Sequence, residues 1–404
     1  MVEDILATDT LGKPFTYDFY FGNTGLIDIF DPKARKWFWN IYEDLTEMGV
    51  AGWWGDLGEP EVHPEGLQHK TGTANEVHNI YGHYWAKLLY EGYQKDFPGK
   101  RPFILMRAGA AGSQRYGLIP WSGDVSRSWG GLKAQPEISL QMGLQGLAYM
   151  HSDLGGFAGD NLDDDLYVRW LQYGVFQPVF RPHAQETVPS EPVFRADHVK
   201  DLAKKAIELR YRLLPYNYTL SFQNAVEGLP LMRPLFFEEP ENFRLYSVSN
   251  EYMWGDAFLV SPVVRPHVSE KEIYFPGSSN WFDLYTGEKY SGGKTATIQL
   301  EEDHIPTFVR GGAFVPMVQK LQSTEDFSAE KMEIHYFFDP DAKTSKGLLY
   351  HDDGKTPEAY EKGDFELLNF RSNKVEEKWV IEMDRETGKS RKDSELQKVT
   401  LVIH

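Results

Sequence analysis

Short apolar runs alternate with amphipathic stretches over the first 240 residues of the chain. The runs have the length of buried strands, and they lie at residues 25–30 (GLIDIF), 50–55 (VAGWWG) and 102–106 (PFILM). A further strand is predicted near residues 147–150, and helical spacing is found near residues 75–93, 137–145, 164–174 and 196–213. Strands that alternate with helices predict a parallel sheet with covering helices.

The first helix carries the clearest local signals. Asp31 and Pro32 supply a cap and a proline for its first turn, and Gly49 can end it. Spacings of four, four and three residues put one apolar row on a single helical face, formed by Trp37, Ile41, Leu45 and Met48. The sequence therefore predicts a helix that starts at about residue 32.

The pattern changes after about Pro240. Short β-rich runs separated by Gly, Pro, Asn and Asp turns predict all-β structure, and they lie at residues 257–264, 272–277, 305–316 and 347–354. We predict a barrel portion at residues 1–240, a proximal β-sandwich domain at 241–318 and a distal β domain at 319–404. The charged stretch at residues 383–398 is expected to form a solvated hairpin.

Polar residues follow several of the predicted parallel strands, which favours a (β/α)8 TIM-type barrel over an open sheet. Such a barrel needs about 250 residues, and the first 240 residues supply only roughly five or six strands. We therefore expect the barrel to be N-terminally incomplete in this chain, and a missing N-terminal region of the same protein to complete it.

Composition excludes several classes of function. The 60 acidic residues outnumber the 42 basic ones and give a formal charge of -18, so binding to nucleic acid is not expected. Membrane insertion is not expected either, because no apolar run approaches the roughly 20 residues of a membrane helix. The chain has no cysteine, which removes disulfides, thiolate metal sites and cysteine nucleophiles. Compartment is not determined, and a periplasmic, cell-surface or secreted location is slightly favoured over the cytoplasm.

Two stretches indicate the chemistry: GWWGDLGEPE at residues 52–61 and RAGAAGSQRYGLIPWSGD at residues 107–124. Each places an aspartate, Asp56 or Asp124, beside tryptophan and glycine at a predicted strand end. Cleavage of a glycosidic bond with retention needs a carboxylate nucleophile and a carboxylic acid about 5–5.5 Å apart. We interpret Asp56 as the nucleophile and Asp124 as the acid/base. The alternative for either residue is a turn or helix-capping aspartate.

Three further polar residues follow apolar runs. Arg107 ends the 102–106 run, where its guanidinium could bind sugar hydroxyls, although a structural salt bridge explains it nearly as well. Asp153 and His183 would complete a ring of hydroxyl-binding groups. A lone histidine is more often a structural residue.

No metal or cofactor is expected. Four histidines lie close together in the sequence without an HExxH motif or paired spacing, namely His63, His69, His78 and His83. No GxxxxGK[ST] or GxGxxG motif supports a nucleotide site.

Nine segments in order resemble glycoside hydrolase family 31 from the middle of its barrel onward. They are GWWGDLGEPE, GSQRYGLIPWSGD, HSDLGGF, RPHAQE, RYRLLPYNYTL, GLPLMRPLFFEEP, EYMWGDAFLVSPV, IPTFVRGGAFVP and LYHDDG. The resemblance implies a retaining α-glycosidase or transglycosylase. It also implies the site, with Asp56 as nucleophile, Asp124 as acid/base, Arg107 and His183 binding sugar hydroxyls, Trp54, Trp121 and Phe157 as aromatic lining, and Asp153 as a supporting acid.

One departure from the family pattern affects the expected activity. Leu57 and Gly58 follow the nucleophile where many α-glucosidases read W-x-D-M-x-E, and GDLGEPEVHPE resembles a branch that includes oligosaccharide 4-α-glucosyltransferases. The leading hypothesis is a hydrolase of α-linked glucosides or malto-oligosaccharides. The alternatives are 4-α-glucosyl transfer and a non-catalytic carbohydrate-binding fragment. The family's N-terminal β-sandwich and first barrel strands precede the region that this chain resembles.

Overall fold

The computed structural model describes residues 3–342 and 345–404, which form two compact units. The first unit extends to Trp121 and includes Lys355–Pro357, and the second comprises Ser122–Gly354 and Glu358–His404. No helix in the described ranges is long and apolar enough to span a bilayer.

The first unit combines three helices with short strands. Its helices are α1 (Pro32–Glu47), α2 (Ala74–Val77) and α3 (Tyr81–Asp96). Its strands are β1 (Thr16–Phe19), β2 (Gly22–Gly25), β3 (Trp53–Gly55), β4 (Gln68–His69), β5 (Gly72–Thr73), β6 (Ile104–Met106) and β7 (Leu118–Pro120).

A parallel sheet in the order β3-β6-β7 organises the first unit. Trp53 pairs with Ile104, which pairs in turn with Leu118. The strands are parallel, so the residues that follow them lie at one edge of the sheet. Strand β3 follows α1, and α3 lies in the connection from β3 to β6, which confirms the predicted alternation of strands and helices.

Helix α1 begins where the sequence predicts, because the Asp31 side chain accepts a hydrogen bond from Lys33 N at 2.7 Å. Its buried residues are Ala34, Trp39, Tyr42 and Thr46, whereas Trp37, Ile41 and Met48 of the predicted apolar row are exposed. Packing against α3 selects this face. The Trp39 ring packs so closely on Gly92 that a Cβ atom there would lie 2.3 Å from the ring. In addition, Trp85 Nε1 donates a hydrogen bond to the Tyr42 hydroxyl at 2.9 Å.

Two sequence predictions for the first unit are wrong in detail. Residues 25–30 do not form the predicted strand. Gly25 is the last residue of β2, and after it this segment makes only an isolated bridge between Ile27 and Leu6. The helix predicted at 75–93 is interrupted, since a 3-10 turn at His78–Ile80 separates α2 from α3.

The second unit places four helices before a series of strands. The helices are α4 (Trp129–Leu144), α5 (Asp164–Gly174), α6 (Asp197–Arg212) and α7 (Leu214–Glu227). The strands of its first β region are β8 (Met232–Pro234), β9 (Tyr252–Trp254), β10 (Phe258–Val260), β11 (Glu270–Phe275), β12 (Trp281–Asp283), β13 (Lys289–Tyr290), β14 (Lys294–Gln299) and β15 (Thr307–Arg310). The later strands are β16 (Phe314–Met317), β17 (Lys331–Tyr336), β18 (Lys346–His351), β19 (Glu366–Val375), β20 (Lys378–Thr387) and β21 (Lys398–Ile403).

The strands form the predicted all-β structure. A six-stranded antiparallel sheet has the order β13-β12-β15-β10-β9-β8. It shares a buried core with the two-stranded β11-β14 sheet through Ile273, Phe275, Trp281 and Phe308. The later strands form two three-stranded sheets, β16-β17-β21 and β18-β19-β20, which share a second core. The boundaries predicted at residues 240 and 318 stay predictions.

Helix α5 has the predicted bounds, and α6 differs by one residue at each end. Helix α4 starts earlier than predicted because Ser128 Oγ accepts from Gly131 N at 3.0 Å and caps it. Residues 147–150, predicted as a strand, lie largely in turns. The charged stretch is not a single hairpin, since β20 pairs with β19 whereas β21 runs parallel to β17 in another sheet.

Candidate active site

Asp56 lies directly after β3, at the carboxyl edge of the parallel sheet. Its side chain is 46% exposed, and its Oδ1 accepts a hydrogen bond from Leu57 N at 2.9 Å. Leu57 has a positive φ of 55°, an uncommon conformation for a residue with a Cβ. The chain therefore turns sharply after Asp56 and leaves the carboxylate accessible to solvent.

Arg107 occupies the equivalent position after β6. Gly55 pairs with Met106, and Arg107 N donates to Gly55 O at 2.9 Å, so the two strand ends hold Asp56 and Arg107 side by side. Arg107 Nε lies 3.5 Å from Asp56 Oδ1. The strand register therefore sets the position of the guanidinium relative to the carboxylate.

Two glutamates of the loop after Asp56 hold the same guanidinium. Arg107 Nε donates to Glu59 Oε1 at 2.9 Å, Nη2 donates to Glu59 Oε2 at 3.2 Å, and Nη2 also donates to Glu61 Oε2. We define these four residues, Asp56, Glu59, Glu61 and Arg107, as the Arg107 cluster. Three carboxylates surround one cation, and two of them fix the plane of the guanidinium.

The electrostatics of the Arg107 cluster favour the charged forms of Arg107 and Glu61. Burial lowers the pKa of Arg107, but hydrogen bonds to Glu59 and Glu61 and the charges of Glu59 and Asp56 outweigh burial and raise it overall. The hydrogen bond from Arg107 lowers the pKa of Glu61 against the opposing effect of burial, and a second bond from Tyr20 lowers it further. Arg107 thus stays cationic beside Asp56 at every pH at which the protein is folded.

Sequence analysis missed Glu59 and Glu61. They lie three and five residues after Asp56 in the motif GDLGEPE, and only the pairing of β3 with β6 brings Arg107 to them. The signal in the sequence that could have identified them is the presence of two acidic residues in the loop directly after the candidate nucleophile.

Trp54 and Trp121 form the aromatic part of this edge. Their rings meet edge to face, with centroids 5.8 Å apart and planes at 67°. Trp121, which follows β7, is buried, whereas Trp54 is 51% exposed. Trp121 therefore supports Trp54, whose exposed ring can pack against the apolar face of a sugar.

Asp124 belongs to the second unit and lies on the connection between Trp121 and α4. Its side chain is exposed, and Gly123 before it has a φ of 74°. Backbone hydrogen bonds hold both sides of this turn, from Ser122 N to His151 O at 3.0 Å and from Phe157 N to Val125 O at 2.8 Å. The local backbone is fixed while the carboxyl group remains accessible.

Asp153 is fully buried and accepts a hydrogen bond from Arg181 Nη2. The backbone reinforces this pair, since Leu154 N donates to Arg181 O at 3.1 Å and Leu154 forms a parallel bridge with Pro182. We refer to Asp153 and Arg181 as the Asp153 pair. Sequence analysis selected Asp153 but missed Arg181.

Phe157 and His183 are stacked in the second unit, with ring centroids 5.3 Å apart and an interplanar angle of 29°. A glycine pair permits the loop that carries Phe157. Gly156 has a φ of 81°, and a Cβ there would lie 2.7 Å from Arg127 Cα. The chain can therefore turn tightly and place the Phe157 ring against His183.

Three of the four clustered histidines form a chain in the first unit. His63 Nε2 lies 2.8 Å from His69 Nε2, His63 Nδ1 lies 3.2 Å from His78 Nδ1, and His69 Nδ1 lies 3.1 Å from Asp28 Oδ1. His63 faces its two neighbours with different ring nitrogens, so the three rings do not converge on one point. Among the described residues, no group of three or more His, Asp or Glu side chains could hold a metal ion.

A family model described as the glycosyl hydrolases family 31 TIM-barrel domain matches residues 2–220 of the chain. The family's C-terminal domain model matches residues 228–315. The chain belongs to glycosyl hydrolase family 31. This confirms the resemblance and the predicted fold class, a TIM-barrel domain followed by all-β structure.

Curated family 31 relatives include alpha-glucosidase 2 of Bacillus thermoamyloliquefaciens, which is 35% identical over 85% of this chain and 44% of its own length. An alpha-xylosidase of Saccharolobus solfataricus is 32% identical over 93% of this chain and 51% of its own length. A family 31 dextranase of Flavobacterium johnsoniae, solved with isomaltotriose, matches 99% of this chain and 51% of its own with a TM-score of 0.93 at 30% identity. The chain thus spans about half the length of these relatives.

Proposed function

We propose that the protein is a retaining α-glycosidase that acts on α-linked glucosides by double displacement. The observation that carries the proposal is the Arg107 cluster, where a half-exposed carboxylate at a strand end faces a cation fixed by two other carboxylates. This arrangement supplies a carboxyl nucleophile in a defined position, in a chain that belongs to a glycoside hydrolase family.

Asp56 is the proposed nucleophile. Its carboxylate attacks the anomeric carbon while the bond to the leaving oxygen breaks, which forms a glycosyl ester with inverted configuration. Arg107 Nε lies 3.5 Å from Asp56 Oδ1, close enough to orient this carboxylate, while the same guanidinium also donates hydrogen bonds to Glu59 and Glu61.

Asp124 is the proposed acid/base. In the first step it donates its proton to the leaving oxygen, and in the second it takes a proton from the water that displaces Asp56 from the anomeric carbon. Two inversions give net retention. The mechanism requires the two carboxyl groups to act on one bond from about 5–5.5 Å apart.

The other predicted site residues are proposed to hold the sugar. Trp54, supported by Trp121, offers an exposed ring for stacking. His183 presents ring nitrogens beside the Phe157 ring, and Asp153 supports this region from below the surface through Arg181. The proposed substrate is a terminal α-glucoside or a malto-oligosaccharide. No cofactor is needed for this chemistry.

Incubation with maltotriose tests the function. Release of glucose with maltose supports hydrolysis, and products longer than maltotriose indicate 4-α-glucosyl transfer, the second prediction from the sequence. Binding measured by calorimetry without any product would contradict the proposal and support the carbohydrate-binding alternative.

An Asp124→Ala variant tests the acid/base. With maltotriose, whose leaving oxygen needs a proton, we expect kcat to fall by about 10²–10⁴-fold. With α-glucosyl fluoride, whose leaving group needs no proton, the loss should be much smaller at the first step. Added azide should restore turnover and give α-glucosyl azide. Equal losses on both substrates without rescue would exclude Asp124 from this role.

A further inference from the structure

Arg127, three residues after Asp124, is a buried arginine without a carboxylate partner. It is 3% exposed, and no Asp or Glu in the part of the chain that the structure describes forms an ion pair with it. Burial and the nearby charge of Arg195 lower the pKa of Arg127. A buried arginine is ordinarily paired, because burying its charge without a counter-ion is costly. The hydrogen bonds that Arg127 makes must therefore offset this cost.

The guanidinium of Arg127 binds main-chain oxygens of the loop that leads to α5. Its Nη1 donates to Gly156 O at 2.6 Å, and its Nε donates to Asn161 O at 3.1 Å. The side-chain amide of Asn161 donates in return to Arg127 O at 3.0 Å. Arg127 therefore fixes both ends of residues 156–161, which we call the Phe157 loop.

The Phe157 loop in turn holds the backbone beside Asp124. Phe157 N and Ala158 N both donate to Val125 O, at 2.8 and 3.0 Å. Arg127 N donates to Ala158 O at 2.8 Å, so the two segments are joined on both sides of this contact. The residue that follows Asp124 is thus held by two hydrogen bonds from a loop that Arg127 closes.

The backbone matters for Asp124 because its side chain is exposed. Packing around an exposed side chain contributes less to its position than the main chain that carries it. A general acid must lie within hydrogen-bond reach of the oxygen that it protonates, and a displacement of about 1 Å can cost about 100-fold in rate. Small movements of the Phe157 loop are therefore expected to affect protonation.

We infer that Arg127 is a positioning residue for Asp124, which it holds where protonation of the leaving oxygen requires the acid/base. This inference rests on the proposed function. Arg127 acts through the Phe157 loop and Val125, without contact to the reacting atoms. The competing explanation is that Arg127 stabilises the fold and has no specific effect on the acid/base.

The test compares Arg127→Met with Arg169→Met in the protein as its gene encodes it. Arg169 is a matched control, because it is 7% exposed and its Nη1 donates to Glu301 O and His304 O, at 2.6 and 3.1 Å. These oxygens lie between β14 and β15, in a connection that carries none of the proposed site residues. Maltotriose and α-glucosyl fluoride are the substrates, and the melting temperature is recorded in parallel.

We expect Arg127→Met to lower kcat/KM for maltotriose by about 10–100-fold and kcat/KM for α-glucosyl fluoride by less than about threefold, because only maltotriose needs the acid. Arg169→Met should lower the melting temperature without changing the ratio of the two values. Combined with Asp124→Ala, Arg127→Met should add little to the loss on maltotriose, since the group through which it acts is absent.

An Asn161→Ala variant tests the same contact without removing the buried charge. Asn161 is exposed, and this variant loses the hydrogen bond to Arg127 O. We expect kcat/KM for maltotriose to fall by about threefold to tenfold while the value for α-glucosyl fluoride stays unchanged. If Arg127→Met does not fold, Asn161→Ala decides the question, and equal changes on both substrates or no change would contradict the inference.

Three results with folded Arg127→Met would overturn the inference. They are equal losses on the two substrates, the same substrate dependence in Arg169→Met, and losses that add fully to those of Asp124→Ala. Each would identify Arg127 as a residue that only stabilises the fold. A wild-type protein that cleaves neither substrate refutes the proposed function, and the role of Arg127 fails with it. An active wild type with equal losses in the variant refutes the role of Arg127 alone.

Discussion

The Arg107 cluster and the Asp153 pair both join arginine to carboxylate, but they differ in exposure and in charge. Arg107 faces three carboxylates, and Asp56 among them is 46% exposed. Asp153 is fully buried, and Arg181 donates to it. We propose that the first arrangement presents a carboxylate to substrate and that the second stabilises the fold around it. An ion pair at a predicted site therefore has a role set by its surroundings.

The comparison predicts different consequences when each carboxylate is removed. Loss of an exposed reactive group changes activity with little effect on folding. Loss of one partner from a buried pair removes a charged hydrogen bond from the interior, which destabilises the folded state.

Asp56→Ala should produce the largest effect. We expect kcat to fall by at least about 10⁴-fold, because no nucleophile remains, while the free energy of unfolding stays nearly unchanged. Azide should restore turnover and yield β-glucosyl azide, since a single displacement inverts the anomeric carbon.

Asp44→Ala is the control for this variant, since Asp44 is exposed on α1 and is not a member of the Arg107 cluster. Its activity should match that of the wild type. Asp56→Ala activity within tenfold of the wild type would contradict the assignment.

Asp153→Ala should have the next largest effect, now on stability. Removing the carboxylate leaves Arg181 without this partner, and we expect the free energy of unfolding to fall by about 3–5 kcal/mol in urea titrations. Asp303→Ala is a matched control in the same unit, because Asp303 pairs with Lys205 at a largely exposed position and should contribute less than about 1 kcal/mol. Similar losses in the two variants would abolish the contrast between buried and exposed pairs.

Arg107→Lys should have an intermediate effect on activity. Lysine keeps the charge but cannot bond Glu59 in two places while it also reaches Glu61. Loss of charged hydrogen bonds of about 1.5–3 kcal/mol corresponds to roughly a tenfold to hundredfold fall in kcat/KM. The melting temperature should change little. Unchanged kinetics would show that the geometry of the guanidinium does not affect the activity that depends on Asp56.

The smallest predicted effect concerns His63, which lies in the loop between β3 and β4. Burial, together with the charges of His69 and His78, lowers the pKa of His63 to about 4. The folded state therefore binds the proton less readily than the unfolded state, whose histidine titrates near about 6.5. Stability from this group is present above pH about 6.5 and is lost as pH falls toward about 4.

Urea unfolding at several pH values in this range measures how steeply the free energy of unfolding changes with pH. His63→Gln should flatten it, because the variant has no group to protonate. The same slope in the variant and the wild type would assign the pH dependence to other residues.

Local signals predicted α1, α5 and α6 well, but not the break between α2 and α3 or the start of α4. Asp31 and Pro32 predict the start of α1, and α5 has the predicted bounds because the Asp163 side chain caps it at Leu166 N. The prediction of a strand at residues 25–30 was wrong. A strand forms only where a neighbouring strand can pair with it through backbone hydrogen bonds, and an apolar run in the sequence does not specify that neighbour. For the same reason, the sequence could not predict that β21 would pair parallel with β17.

The candidate site was predictable in its residue types but not in its contacts. Asp56 and Arg107 were selected because each follows an apolar run. Glu59, Glu61 and Arg181 were missed, since their partners are distant in the sequence and depend on strand register or on loop packing.

The configuration of the first product tests the account most directly. Proton NMR of the anomeric region during early hydrolysis of an α-glucoside, before mutarotation, distinguishes the two anomers of released glucose. A double displacement through Asp56 predicts that α-glucose accumulates first. Initial release of β-glucose would show a single displacement by water and would contradict Asp56 as a nucleophile.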